Sequence, residues 1–186
     1  MLGQIGRLGQ IGRNIERVLE WVVIILMILL TIVVIVAVLF RLAGDSLSWY
    51  DEVAAIQLSW ITYYGAALAA LKRRHIGFDS VILAIPMPAR MGALILAESI
   101  SIIFFMILTY TGMRVLTVLE GEMLVSLTWV PVQLTQSVIP IGGALFIFCQ
   151  LLSLPEYWRQ TALGKSLEHA EIEEEVEAEM KKAGAR

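Results

Sequence analysis

The stretch that decides the fold is residues 49–79, WYDEVAAIQLSWITYYGAALAALKRRHIGFD. It opens with two acids and closes with three bases, which are Asp51, Glu52, Lys72, Arg73 and Arg74. Between them, residues 53–71 carry no charge. A membrane span needs roughly 20 apolar residues, and lipid offers open backbone groups no hydrogen-bond partner. The stretch therefore predicts a transmembrane helix whose end charges complement the helix dipole.

Three further apolar runs extend this prediction to the whole chain, which is 58% hydrophobic with a mean hydropathy of +0.77 and only 17% charged residues. Soluble domains carry about 25% charged residues. We predict an all-α integral membrane protein whose four transmembrane helices cover about 21–40, 53–71, 91–113 and 130–154.

The remaining segments divide the chain into a lead-in, a membrane domain and a tail. Residues 1–17 form a basic cytoplasmic or interfacial lead-in, 18–158 the four-helix membrane domain, and 159–186 an acidic cytoplasmic tail. Residues 76–89 contain Pro86 and Pro88 and are too short to cross. We expect them to form an interfacial segment between helices 2 and 3.

The positive charges predict the orientation. They concentrate before helix 1, between helices 2 and 3, and after helix 4. Cytoplasmic loops of membrane proteins are enriched in Lys and Arg. We therefore predict that both termini are cytoplasmic, and we assign Lys72, Arg73 and Arg74 to setting this topology.

Small residues and prolines predict how the helices pack. Helix 2 is rich in Ala and Gly, and helix 3 carries Ala93, Ala97 and Ser101 at four-residue intervals. Such stripes let helix backbones approach closely, so we expect helices 2 and 3 at the centre and helix 1 at the periphery. The alternative is that alanine is simply common in membrane helices. Pro140 should kink helix 4.

Glu98 is the one acid inside the four apolar runs. A carboxylate in lipid is costly and marks a candidate functional site. It could bind a cation, relay a proton, pair with a base on a partner subunit, or be structural. No catalytic or metal-binding motif, paired cysteines or nucleic-acid-binding stripe is visible, so we predict no enzymatic activity and no nucleic-acid partner.

Several short motifs, in order along the four spans, carry a family resemblance. They are Trp49-Tyr50-Asp51-Glu52-Val53, Gly65-Ala66-Ala67, His75-Ile76-Gly77-Phe78-Asp79, Leu127-Thr128-Trp129-Val130-Pro131 and Ile139-Pro140-Ile141-Gly142. Together they resemble the small, DctQ-like membrane subunit of TRAP (tripartite ATP-independent periplasmic) transporters, over about residues 18–154.

The resemblance implies a non-catalytic scaffold subunit in a bacterial inner membrane, surrounded by lipid. Its partner would be a large elevator-type subunit that holds the sodium and substrate sites for uptake of organic acids, so we expect no cofactor in this chain. A periplasmic binding protein would dock transiently. The family-like residues Trp49, Glu52, His75 and Asp79 would serve the fold and subunit contacts, whereas Glu98 belongs to none of these motifs.

Two alternatives remain at this stage. One is the small subunit of another tripartite carboxylate transporter. The other is an independent homo-oligomeric channel or proton-coupled carrier that uses Glu98, although one buried acid on four helices provides little coupling machinery.

Overall fold

The computed structural model describes residues 2–73, 86–162 and 180. Within these ranges the chain forms helices and no strands. The helices are α1 (Leu2–Leu42), α2 (Tyr50–Lys72), α3 (Met87–Val118), α4 (Val132–Gln136) and α5 (Val138–Ala162). Arg74, His75, Asp79, most of the interfacial segment 76–89 and all of the tail beyond Ala162 except Met180 lie outside the described residues.

Four segments are long and apolar enough to cross a membrane: Gly12–Leu42, Tyr50–Lys72, Ala89–Val118 and Val132–Pro155. The last joins α4 to the start of α5. The prediction of an all-α protein with four transmembrane helices is confirmed, and the protein is a multi-pass membrane protein.

α1 has no break at residue 17, where we placed the end of the lead-in. At 1.5 Å per residue its 41 residues extend about 62 Å, roughly twice the ~30 Å hydrocarbon thickness. Part of α1 therefore lies beyond the hydrocarbon core, as a direct continuation of the first span.

The four spans stand in a row in the order α1, α2, α5, α3, because α5 packs against both α2 and α3 while α1 packs mainly against α2. The expected pairing of helices 2 and 3 at the centre is wrong. Of the residues in the most apolar window of each span, 39% are buried in the fourth, against 6% in the first and third. Helix 1 does lie at the edge of the row, and α3 forms the opposite edge.

Glycines explain why the fourth span is central. A Cβ atom on Gly142 would lie 2.6 Å from Tyr63 Cβ of α2, and one on Gly143 would lie 2.5 Å from Thr109 Oγ1 of α3. These glycines leave α5 without side chains at two contact points, so α2 packs closely at Gly142 and α3 packs closely at Gly143. The alanine stripe of helix 3 does not mark this interface, since Ala97 is exposed.

The fourth span is interrupted at Ser137, between α4 and α5. This break lies three residues before Pro140, whose ring has no N–H to donate and crowds the carbonyl of Gln136. The proline predicted to kink this helix thus coincides with a break in it.

The two ends of the bundle, along the helix axes, are made of different segments. On one side, the start of α1, the end of α2, the start of α3 and the end of α5 come together; we call this the termini side. On the other, the connections 43–49 and 119–131 come together; we call this the loop side.

Candidate functional site

Arg73 joins three helices on the termini side. Its guanidinium forms an ion pair with Glu98 of α3. Its Nε donates to Ser153 Oγ at 2.8 Å, and its Nη2 donates to the Gln150 carbonyl at 2.9 Å. The Arg73 Cζ also lies 4.7 Å from the centre of the Tyr157 ring. We call Arg73, Glu98, Gln150, Ser153 and Tyr157 the Arg73 cluster.

The two charged side chains of the cluster are largely buried and hydrogen-bonded. The side chain of Arg73 is 7% exposed and that of Glu98 is 13% exposed. The second carboxylate oxygen of Glu98 accepts a hydrogen bond from Gln150 Nε2 at 2.7 Å. Ser153 Oγ lies 3.1 Å from the Ala70 carbonyl and donates back to the end of α2. A buried charge is tolerated when it is paired and hydrogen-bonded, and both conditions hold here.

Lys72, the residue before Arg73, forms ion pairs with α1, on the side of α2 away from α3 and α5. Its Nζ lies 3.1 Å from Glu16 Oε1 and 2.5 Å from Glu20 Oε1, both on α1. These side chains are partly exposed, so the pairs contribute less than the Arg73 pair does. Two consecutive bases at the end of α2 therefore connect it to α1 on one flank and to α3 and α5 on the other.

Sequence reasoning missed most of this arrangement. It assigned Lys72 and Arg73 to topology and considered a base on a partner subunit as the ion-pair partner of Glu98. The partner of Glu98 is Arg73, which is 25 positions away in the sequence. Gln150, Ser153 and Tyr157 were overlooked, although three polar groups at intervals of three and four residues share one face of a helix.

Glu52 forms a second polar contact, at the loop side. Its carboxylate oxygens accept hydrogen bonds from the backbone N–H groups of Val125 and Ser126, at 3.0 and 2.8 Å. Ser126 Oγ lies 3.0 Å from the Ser48 carbonyl and donates to it. The first turn of α2 thereby holds the connection between α3 and α4.

This connection, residues 119–131, has an ordered backbone. Leu124 N–H donates to the Val130 carbonyl at 3.0 Å, and Val132 N–H donates to the Glu122 carbonyl at 3.0 Å. Met123 and Pro131 form an isolated antiparallel bridge. The Leu127–Pro131 motif thus closes a short hairpin-like turn.

Trp49 marks the start of α2, where its carbonyl accepts the Val53 N–H at 3.2 Å. It is partly buried and its side chain makes no capping hydrogen bond. A second tryptophan, Trp60, donates from Nε1 to the Thr135 carbonyl at 3.0 Å and joins α2 to α4.

The candidate residues therefore do not converge on one reactive site. Glu52 and Arg73 lie at opposite ends of α2, about 30 Å apart at 1.5 Å per residue. Each connects α2 to other parts of the chain. Among the described residues, most polar groups of these two contacts bond to another part of the chain, whereas the buried Gln150 Oε1 has no hydrogen-bond partner.

Comparison with known families agrees with this architecture. Residues 30–160, more than half of the chain, match the family described as tripartite ATP-independent periplasmic transporters, DctQ component. The chain belongs to this family. A DctQ component is one part of a tripartite transporter that also contains a larger membrane subunit and a binding protein. A search among curated proteins found no significant match.

The family match confirms the resemblance to DctQ components that the sequence motifs indicated. The matched region begins inside α1 and ends near the end of α5, so it includes Glu52, Arg73, Glu98 and Gln150. The two polar contacts that hold α2 thus lie within the region that defines the DctQ component.

Proposed function

We propose that this DctQ component is a non-catalytic scaffold that packs against a large elevator-type membrane subunit. The complex would drive uptake of organic acids with a sodium gradient, and a periplasmic binding protein would deliver the substrate. The sodium and substrate sites would lie in the large subunit, so this chain would need no cofactor of its own. It would reside in a bacterial inner membrane with both termini in the cytoplasm.

The pairing of Glu98 carries this proposal. A carboxylate that couples transport must exchange a proton or cation during the cycle. Glu98 instead has one oxygen paired with Arg73 and the other bonded to Gln150 Nε2, 2.7 Å away. Its charge is already balanced by an arginine, which does not release its proton in proteins. This arrangement favours a structural role and counts against the independent proton-coupled carrier.

The low burial of the outer spans supports a docking role. Only 6% of the residues in the apolar windows of the first and third spans are buried within the chain. The apolar faces that remain are available to lipid and to helices of another subunit. The family assignment supplies a larger membrane subunit as that partner.

A reconstitution experiment tests the finer claims. The large subunit is reconstituted into proteoliposomes with or without this chain, and the binding protein is added in solution. Uptake of labelled carboxylates is then followed under a sodium gradient. We expect uptake only when all three components and the gradient are present. Sodium-independent uptake, or uptake by this chain alone, would contradict the proposal.

A further inference from the structure

An apolar groove of about 680 Å³ runs along α1, where α1 separates from the α2–α5 pair. Val18, Val22 and Ile25 form the α1 wall, while Trp60, Tyr64 and Leu145 form the floor. Asn14 lines one end. The groove is partly open to the surroundings of the bundle.

Fixed side chains build the floor of this groove. Trp60 is held by its hydrogen bond to the Thr135 carbonyl at 3.0 Å. Its ring meets the Tyr64 ring edge-on, with centroids 6.2 Å apart and planes at 77°. Leu19 is buried beside them, with 4% of its surface exposed. The groove is therefore preformed, and a ligand would meet a shaped surface without repacking it.

The length of the groove matches one leaflet. It follows α1 over the thirteen residues from Asn14 to Leu26, which are about 18 Å apart at 1.5 Å per residue. A bilayer with its headgroups is about 40–45 Å thick, so one leaflet is roughly 20 Å deep. Asn14 lies on the charged stretch that contains Arg13, Glu16, Arg17 and Glu20, seven residues before the uncharged run 21–40 begins. The groove thus runs from the headgroup level on the termini side toward the bilayer midplane.

The charge at the Asn14 end is positive. Arg13 and Arg17 are exposed there, one helical turn apart. The neighbouring acids Glu16 and Glu20 are engaged with Lys72, at 3.1 and 2.5 Å. The two acids thus stand against three bases, Lys72, Arg13 and Arg17, so this end of the groove carries a net charge of +1, which favours an anionic headgroup.

We propose that this groove binds a phospholipid with an anionic headgroup from the leaflet on the termini side. One acyl chain lies along Val18, Val22 and Ile25, over the floor made by Trp60 and Tyr64. The phosphate lies at the Asn14 end, outside the apolar lining of the groove. Arg17, three residues after Asn14, is its neighbour on the helix surface, and Arg13 adds positive charge nearby. This inference rests on the groove and its charges and does not depend on the transport function.

Native mass spectrometry of the full-length chain, purified with any protein that accompanies it, tests the headgroup preference. Phosphatidylglycerol and phosphatidylcholine of equal chain length are titrated in turn. We expect tighter binding of phosphatidylglycerol, and a loss of about 30-fold in the variant with Arg13→Gln and Arg17→Gln, because each interfacial arginine contributes about fivefold to anionic-lipid binding.

The matched control is Arg41→Gln. Arg41 is also exposed on α1 but lies in its last turn, on the loop side. The proposal expects this variant to bind like the native chain. Equal affinity for the two lipids, or the same loss with Arg41→Gln, would overturn it.

A second measurement decides between lipid and protein as occupant. A photo-crosslinking residue is placed at Val18, whose side chain is 62% exposed and lines the groove. After irradiation in native membranes, the proposal predicts an adduct with the mass of a phospholipid. An adduct with another polypeptide would show that a partner helix fills the groove and would overturn the proposal.

Discussion

Arg73 has a backbone conformation that few residues other than glycine adopt. It ends α2 with φ 51° and ψ 26°, in the left-handed region. For a residue with a side chain this conformation costs on the order of 1–2 kcal/mol. The strain persists because the guanidinium is held by Glu98, Ser153 and the Gln150 carbonyl. An arginine thus stands where a helix would otherwise end in glycine.

Removing the Glu98 carboxylate should destabilise the bundle strongly. Glu98→Ala leaves the buried Arg73 charge unpaired, and breaking a buried pair in this way costs about 3–5 kcal/mol. We expect a clear fall in the melting temperature of the purified chain in detergent. Glu120→Ala is the control, because Glu120 is an exposed acid in the connection after α3. Similar melting temperatures for the two variants would contradict the structural role of Glu98.

A double substitution separates structure from coupling. Glu98→Gln combined with Arg73→Gln removes both charges and leaves amides that can hydrogen-bond to each other and to Gln150. We expect this variant to recover at least half of the stability lost in Glu98→Ala, and to support transport in the assembled complex. A stable, assembled variant without transport would instead assign Glu98 a coupling role.

Replacement by alanine should change the stability of the chain in opposite directions at two glycines of the membrane helices. Gly142→Ala places a Cβ 2.6 Å from Tyr63 Cβ, so helices α2 and α5 must separate, at a cost of about 1–3 kcal/mol. Gly65→Ala meets no atom within 4 Å and should stabilise the isolated chain by about 0.5–1 kcal/mol. Thermal unfolding in detergent measures both. Equal effects would mean that α5 does not approach α2 through Gly142.

At the scale of elements, α2 is the helix held at both ends. Glu52 holds the 119–131 connection at its start, and Lys72 with Arg73 holds the other helices at its end. Glu52→Ala should release the connection without unfolding the spans. The Val125 and Ser126 amides lose their acceptor in this variant, so they should exchange hydrogen faster than in the native chain.

Asp51→Ala is the matched control for this measurement. Asp51 is an exposed acid in the same first turn, so both variants lose one favourable interaction with the helix dipole. Only Glu52→Ala should change exchange at Val125 and Ser126. Faster exchange in both variants would show that the effect comes from fraying of α2.

The four membrane-spanning helices were predictable from the sequence, whereas the order in which they pack against one another was not. Apolar runs determine spans because every backbone group in lipid must be satisfied within its own helix. The order α1, α2, α5, α3 depends on which surfaces interlock. The deciding features, Gly142 and Gly143, were not identified from the sequence as a helix-packing surface. The alanine stripe at Ala93 and Ala97 predicted the wrong contact because small residues also face lipid.

For the candidate site, the sequence likewise identified important residues but not the contacts they make. The sequence singled out Glu98, because an acid in an apolar run is costly, and Glu52, because it belongs to a family-like motif. It could not pair Glu98 with Arg73, since that contact requires knowing that α3 and the end of α2 meet around α5. The role of Glu52 in holding a distant connection follows from the fold alone.

For the whole molecule, the charge pattern predicts which side faces the cytoplasm. The native Cys149 is fully buried, so labelling of introduced cysteines has a low background. In intact cells, a membrane-impermeant maleimide should label Thr128→Cys on the loop side. It should label Gln10→Cys on the termini side only after permeabilisation. The native chain is the control, and the reverse pattern would contradict the predicted orientation.

The measurement that tests the central claim most directly is purification of the tagged chain from its native membranes in a gentle detergent, with mass spectrometry of the proteins that co-elute. A scaffold that lacks transport machinery of its own must bind the subunit that has it. We predict a larger multi-span membrane protein in stoichiometric amount with this chain. A homogeneous self-oligomer without that partner would contradict the account and make Glu98 the residue on which any transport by this chain depends.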